Sequence, residues 1–196
     1  MAYTTRDLVK QYLGIPDATS SENTPIDNAI AAAEAEIDSI CGRTFEVPSG
    51  ATARTYVPFD DTTLYVDDLA QTTGLIVKTD TSLDGTYDTT LTITTDYVLT
   101  GNTAPYRVIK RVDGDAYPRD VYGRPTVQVT AFYGYGMAIP DQVKQCALVL
   151  AARLYQRRSS PLGFQAGNVD IGFVRISRTD PEVIALLRGL KLPAAA

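Results

Sequence analysis

The chain has 196 residues, of which 44% are hydrophobic and 21% charged, and its formal net charge is −5. This length allows one domain or two small ones, and the composition is typical of a globular protein with a buried core. No apolar run approaches the ~18 residues that a membrane-spanning helix needs, so no membrane association is expected. The start of the chain lacks a secretion pattern, which predicts a protein made and kept in a cytosol, and the acidic total argues against tight wrapping of nucleic acid.

Two helices are predicted in the first part of the chain. The first spans about Thr5 to Leu13, with Thr4 as its N-cap and Gly14 in the left-handed position after its end. The second begins at Thr24, its predicted cap, and ends before Gly42. Its apolar residues recur every three or four positions and predict a one-sided buried stripe: Ile26, Ile30, Ala33, Ile37 and Ile40.

Helical periodicity disappears between residues 44 and 136, where Thr, Val, Tyr and Asp dominate. Short segments with β-forming residues, separated by turn signals, predict a small antiparallel sandwich or barrel. The predicted strands are Arg54–Val57, Thr63–Val66, Leu75–Lys78, Leu91–Thr94, Tyr97–Thr100, Arg107–Val112 and Thr126–Tyr133. The last of these alternates best and is expected to bury Val127, Val129, Ala131 and Tyr133 on one face.

A third, long helix is predicted from Pro140 to Arg158, within a segment 137–163. One face carries Val143, Ala147, Leu150, Ala151, Leu154 and Tyr155, and Cys146 and Val149 add apolar surface on another side. A helix apolar on two sides needs two covers, and the second is expected to be another copy of the chain. Cys146, Val149, Arg153, Arg157 and Arg158 are therefore the candidate subunit-interface residues.

The C-terminal region, 164–196, combines glycines with apolar and basic residues, and then a fourth helix. That helix is predicted to begin at Asp180 and to bury Val183, Leu186, Leu187 and Leu190. The segment before it has two interpretations: an extended arm that orders on meeting a partner, or a β-hairpin packed on its own subunit. The candidate binding residues are Ile171, Phe173, Arg175, Ile176 and Arg178.

The residues that carry common enzyme chemistry are missing or badly spaced. There is no histidine, Cys41 and Cys146 do not form a CxxC pair, and no phosphate-binding glycine motif occurs. We therefore expect neither catalysis nor a metal or cofactor, and two reduced, buried thiols. The segment Asp80–Asp88 has the oxygen spacing of a calcium loop, but Leu91 occupies the twelfth position, which favours a hairpin turn instead.

Charge is distributed unevenly along the chain. Residues 1–105 hold 5 Lys+Arg and 16 Asp+Glu, a net −11, whereas residues 106–196 hold 13 and 7, a net +6. Two interpretations remain open: neighbouring copies bring opposite charges together, or both sets are solvated surface.

The order of these pieces resembles the head-to-tail adaptor (connector) proteins of long-tailed bacteriophages. The matching sequence runs are YLGIP, AIAAAEAEIDSICGRTF, a β-rich insert, VTAFYGYG, the helix ending LYQRR, SPLGF and DPEVIALL. The resemblance implies an α+β fold, with a helical adaptor core of about four helices and an inserted antiparallel β-rich domain.

The resemblance also implies a function without catalysis, cofactor or metal. Such a protein forms a ring, expected as a dodecamer, between the portal protein and the next neck or tail ring. It is assembled in the host cytoplasm and sits in the virion at the head–tail junction, where genome DNA passes through its lumen without specific binding. The C-terminal candidates named above would contact the portal, and no membrane is involved.

Two other functions remain open. The chain could be the stopper or a tail-completion protein of the same neck, whose rings are often β-rich. The β-rich domain could instead bind glycans, which requires exposed aromatic side chains on one face. The candidates for that face are Tyr56, Tyr65, Tyr87, Tyr97 and Tyr106.

Overall fold

The computed structural model describes residues 2–158, 164–165, 174–175 and 181–192. The chain divides into two compact units. Met1–Arg43 and Ile139–Ala196 form the helical unit, and Thr44–Ala138 forms the β unit between them in sequence. The predicted α+β class is confirmed: the described residues form four α-helices, two antiparallel sheets in the β unit and a two-stranded antiparallel pair near the C-terminus. Within the described residues, no helix is long and apolar enough to cross a membrane.

The helical unit contains α1 (Arg6–Leu13), α2 (Asn23–Cys41), α3 (Asp141–Arg157) and α4 (Pro181–Leu187), which a 3₁₀ turn, Arg188–Leu190, follows. Helix α3 packs against α2 along its length and also contacts α1 and α4. Its own chain therefore covers α3 on several sides, and the second cover expected from another copy is supplied within the subunit. The core includes Val9, Ile26, Ala33, Ile37, Val143, Ala147, Ala151, Val183 and Leu187.

The helix ends differ in detail from the predictions. Thr5, not Thr4, caps α1, since its hydroxyl accepts a hydrogen bond from the Leu8 amide. Helix α2 begins at Asn23 without a side-chain cap because a 3₁₀ turn, Ser20–Glu22, runs directly into it, so the Thr24 cap was wrong. Both predicted glycine ends are confirmed: Gly14 and Gly42 have φ values of 69° and 67°. Asp180, the predicted cap of α4, lies outside the described residues.

Two apolar positions are less buried than their stripes predicted. Ile40 is only partly buried, because Cys41 continues the buried face of α2 one turn after Ile37. Leu186 is likewise partly buried, whereas Val183, Leu187 and Leu190 are buried as predicted.

The β unit holds seven strands in two antiparallel sheets. Strands β1 (Thr52–Tyr56), β7 (Val127–Ala131), β3 (Ile76–Thr79) and β4 (Thr89–Leu91) pair in that order. Strands β2 (Thr63–Leu69), β6 (Tyr106–Arg111) and β5 (Tyr97–Leu99) form the second sheet. One apolar cluster contains residues from both sheets, and β7 buries Val127, Val129 and Ala131 as its alternation predicted.

All seven predicted strands are present, and the ends of β4 differ most. It ends at Leu91 because the following residues turn: the Asp96 carboxylate accepts a hydrogen bond from the Thr92 amide at 2.6 Å. Thr94 adopts a φ of 71° in that turn, which a strand does not allow.

The two ends of the β unit are joined to each other. The Tyr135 amide donates to the Thr44 carbonyl at 3.1 Å, and the rings of Phe45 and Tyr135 lie 5.2 Å apart between centroids. Gly134, with a φ of 153°, donates its amide to the Asp68 carbonyl at 2.8 Å. The chain therefore enters and leaves this unit at adjacent points.

Candidate functional site

The end of α3 is held to the start of α2 by three side chains. The Tyr155 hydroxyl donates to Glu22 Oε2 at 2.7 Å, and Arg158 Nη2 lies 2.5 Å from the same oxygen. The Arg158 guanidinium also lies over the Tyr155 ring, 4.2 Å from its centroid. We call Glu22, Tyr155 and Arg158 the α3 latch. The Tyr155 hydrogen bond, followed by the bond from Arg158, holds the pKa of Glu22 below its ordinary value.

The structure places the interface candidates of α3 in different environments. Cys146 is completely buried inside the helical unit and offers no surface to another copy. Arg158 belongs to the α3 latch, and Arg153 lies 3.8 Å from Glu182 of α4. Val149 and Arg157 are partly buried at the surface of α3. Sequence reasoning missed Glu22 and Tyr155 because these partners lie 133 residues apart.

The C-terminal candidates are only partly described. Ile171, Phe173, Ile176 and Arg178 lie outside the described residues. Arg175 belongs to β9 (Val174–Arg175), which pairs antiparallel with β8 (Phe164–Gln165), so Phe164 is opposite Arg175. The pairing covers only Phe164↔Arg175 and Gln165↔Val174, and the residues between the two strands lie outside the described part of the chain.

The described residues on either side of the stretch 159–180 are fixed within the helical unit. The α3 latch holds the residue before it, and α4 follows it with Val183, Leu187 and Leu190 buried in the core. After α4, the Leu192 amide donates to the Cys41 carbonyl at the end of α2, at 2.9 Å. The described residues that flank 159–180 therefore both belong to the helical unit.

The loop Asp80–Asp88 is the hairpin that the sequence favoured over a calcium loop. It connects β3 to β4, which pair antiparallel with Val77 opposite Leu91 and Thr79 opposite Thr89. The Asp80 carboxylate is buried and accepts hydrogen bonds from the amides of Asp84 and Gly85 at 3.2 and 2.7 Å. In the described part of the chain, no cluster of His, Cys, Asp or Glu could hold a metal ion.

Both cysteines are free thiols buried in the helical unit. Burial raises the pKa of Cys146 to about 11, and it also raises the pKa of Cys41. Such thiols are poor nucleophiles at neutral pH because only the thiolate reacts.

The five candidate glycan-binding tyrosines do not form one exposed face. Tyr97 is only 1% exposed and belongs to the core of the β unit. Tyr56, Tyr87 and Tyr106 are partly buried, and the Tyr56 and Tyr87 hydroxyls donate to Asp67 and to the Pro125 carbonyl. Tyr65 alone of the five is exposed.

Comparison with solved structures finds similar chains in particles of a gene transfer agent (GTA). A chain of "Neck of empty GTA particle computed with C6 symmetry" superposes with a TM-score of 0.61 at 19% identity, over 96% of this chain and 89% of that chain. A chain of "Virion of native gene transfer agent (GTA) particle" gives 0.58 and 20%, over 97% and 89%. A chain of "Neck of native GTA particle computed with C12 symmetry" gives 0.53 and 20%, over 87% and 84%.

No protein-family model matches the sequence, and a search of curated proteins finds no match. At these identities the structural matches establish a shared fold. That fold extends over nearly the whole of both chains, helical and β units included.

Proposed function

We propose that this chain is a structural neck protein of a phage-like particle, and specifically its head-to-tail adaptor. The observation that carries the proposal is the fold shared with chains of GTA particles, two of them described as necks with C6 and C12 symmetry. Such symmetry belongs to rings of copies in head-to-tail contact, which close when the rotation permits. The proposed role is mechanical and requires no catalytic residue or cofactor.

In this proposal, copies of the chain form a ring between the portal and the next neck or tail ring, and DNA passes through its lumen. The copy-to-copy contact uses the surface of α3 at Val149, Arg153 and Arg157. Cys146 is excluded from that contact because it is buried. Arg158 is excluded because it pairs with Glu22 in the α3 latch.

The portal contact is assigned to the stretch 159–180, with Ile171, Phe173, Arg175, Ile176 and Arg178 as its binding residues. Two observations support this assignment. The residues that flank the stretch, Arg158 and helix α4, are fixed within the helical unit. Strand β8 pairs with β9, and this pairing restricts the backbone of those strands, which lowers the entropy cost of binding.

The experiment is co-sedimentation of the purified chain with portal-containing heads, followed by electron microscopy of the pelleted heads. We expect the intact chain to form a ring on the heads. A variant with Phe173→Ser, Arg175→Ser and Arg178→Ser should lose binding, while Arg119→Ser, a surface variant of the β unit, should retain it.

Binding of the intact chain to isolated tails but not to heads would reject the adaptor role in favour of a tail-completion protein. Equal binding of the triple variant and the intact chain would reject the assignment of the portal contact.

A further inference from the structure

Three loops of the β unit meet at one end of its sheets. They are residues 57–62 between β1 and β2, 80–88 between β3 and β4, and 112–126 between β6 and β7. The strand registers require this: Val127 at the start of β7 lies opposite both Tyr56 at the end of β1 and Thr79 at the end of β3. We call these three loops the loop end.

Hydrogen bonds between the loops fix their arrangement. The Tyr117 amide donates to the Asp61 carbonyl at 2.7 Å, and the Tyr87 hydroxyl donates to the Pro125 carbonyl at 3.1 Å. Arg124 Nη2 reaches the Leu83 carbonyl at 3.3 Å. Because each loop is bonded to another, a partner would meet a surface already in one conformation, which lowers the cost of binding.

This rigid surface exposes large apolar side chains. Val121 and Tyr122 are 91% and 86% exposed, and Phe59 is 66% exposed. The Asp120 carboxylate stabilises the turn that carries Val121 and Tyr122. It accepts a hydrogen bond from the Tyr122 amide at 3.0 Å and forms an ion pair with Arg124. Exposed apolar side chains concentrated on a braced loop indicate a binding surface, and tyrosine is enriched at the centres of interfaces.

Charge indicates the kind of partner. The three loops hold eight acidic and two basic residues, a net −6 in a chain whose total is −5. The helical unit holds 11 Lys+Arg and 11 Asp+Glu and is neutral. Its Arg153 and Arg158 lie beside Glu182 and Glu22 of the same subunit. Another copy of this chain therefore offers no complementary positive unit, which favours a partner of different sequence.

We propose that the loop end is the docking surface for a second, different protein of the particle, with Val121 and Tyr122 inserting into an apolar pocket rimmed by lysine or arginine. This inference rests on the proposed neck function for the setting in which the partner is met. The net negative charge of the loop end repels nucleic acid and orients the partner.

The first experiment places the photocrosslinker benzoylphenylalanine at position 122 in assembled particles, with a second sample carrying it at position 175. We expect position 122 to crosslink to a particle protein other than this chain, at sites beside basic residues. Crosslinks only to this chain, or none, would overturn the inference. Failure of position 175 to reach the portal would count against the proposed portal contact and leave the result at position 122 unaffected.

The second experiment uses a double variant that carries both Val121→Ser and Tyr122→Ser. The control is Met137→Ser, because Met137 is exposed and lies outside the loop end. The backbone bonds of the turn are retained, so both chains should fold with unchanged melting temperatures. We expect the double variant to bind heads normally but to reduce joining of tails roughly 30-fold, the loss of a central interface anchor. Unchanged tail joining would overturn the inference, as would loss of the ring from the heads.

The charge assignment is tested with Asp84→Lys and Asp88→Lys together, and with Asp17→Lys as a control in the helical unit. The loop variant should join tails roughly 10-fold more slowly at low salt, and the difference should shrink at high salt because exposed charges are screened. A loop variant that matches the Asp17→Lys control at every salt concentration would contradict the stated partner chemistry.

Discussion

Gly134 lies where the chain leaves the β unit, at a position that has no room for a side chain. A Cβ at this position would lie 2.7 Å from the Glu46 carbonyl oxygen and 2.8 Å from Val47 Cγ2. The first of these is a backbone atom that cannot swing away. The φ of 153° is also one that residues with side chains rarely adopt.

We therefore expect Gly134→Ala to lower the free energy of unfolding by about 1–3 kcal/mol through overpacking. Urea denaturation followed by circular dichroism measures the change. Gly136→Ala is the matched control, because a Cβ there meets nothing within 4 Å, and its effect should stay within about 0.5 kcal/mol. Equal stability of the two variants would show that the backbone shifts at Gly134 at no cost.

Cys146 is the second residue whose role follows from its burial. Cys146→Ala should cost about 1–2 kcal/mol, a small core deletion, and leave ring formation unchanged. In the native protein, both thiols should react with Ellman's reagent only on unfolding, since burial holds the pKa of Cys146 at about 11. A disulfide between Cys41 and Cys146 in native particles would contradict this expectation.

At the scale of elements, the α3 latch links two helices distant in sequence. Its carboxylate, Glu22, has a lowered pKa in the folded state. The stabilisation is therefore fully present above the ordinary pKa of glutamate and is lost as the pH falls through the lowered value.

We expect the melting temperature of the intact chain to exceed that of Glu22→Gln near pH 6, and the gap to narrow as the pH falls below the ordinary pKa of glutamate. Thermal unfolding of both chains across this pH range measures it. Glu36→Gln is the control: it changes a partly buried glutamate within α2 that has no part in the latch. A gap that stays constant with pH would show that the charge of Glu22 does not stabilise the fold.

Helix α4 contributes to the core of the helical unit, so a deletion that includes it should differ in effect from a change limited to the residues before it. Deleting 181–196 removes Val183, Leu187 and Leu190, each worth about 1.5–3 kcal/mol when fully buried. We expect this deletion to unfold or strongly destabilise the helical unit. Replacing only 164–175 with a flexible linker of equal length should preserve the melting temperature and abolish binding to portal-containing heads. A stable chain lacking α4 would contradict the first expectation.

The elements themselves could be predicted from sequence wherever a local pattern determines them. The 3.6-residue stripe of α2, the alternation of β7 and the glycine ends at Gly14 and Gly42 are such cases. The cap of α1 could not be chosen, because Thr4 and Thr5 are equivalent locally. The choice depends on tertiary contacts: the Tyr3 amide and hydroxyl bind Glu34 and Asp38 of α2, and Thr4 is buried beside them.

The candidate site was less predictable for the same reason. The basic end of α3 is visible in the sequence, but its partner Glu22 lies in the 3₁₀ turn before α2, far away in sequence. The loop end could not be found because its three loops are distant in sequence and come together only through the registers of β1, β3 and β7.

At the scale of the whole molecule, the charge is organised by unit and not by half of the chain. The acidic first half and basic second half partly neutralise each other inside the helical unit, at Glu22 with Arg158 for example. The net negative charge of the chain remains in the β unit, which holds 7 Lys+Arg and 12 Asp+Glu. A negative unit repels phosphate, which suits a proposed channel protein that must let DNA pass.

We therefore expect the intact chain to bind duplex DNA more weakly than micromolar at physiological salt, as measured by fluorescence anisotropy. Lowering the salt concentration should produce little gain, because few phosphate contacts release counterions. The comparison chain carries Asp84→Lys and Asp88→Lys and should bind somewhat more tightly at low salt. Sub-micromolar, sequence-independent binding by the intact chain would contradict a passive channel wall.

The adjacent entry and exit of the β unit, joined through Thr44 and Tyr135, have a consequence for how such proteins diversify. A segment whose two ends lie side by side can be gained, lost or exchanged as a cassette, because the host fold needs only a short connection in its place. Genetic exchange at residues 43–44 and 138–139 would then give the same helices a new β unit in a single event. The specificity of one junction could change in this way without any substitution among the helices that build it.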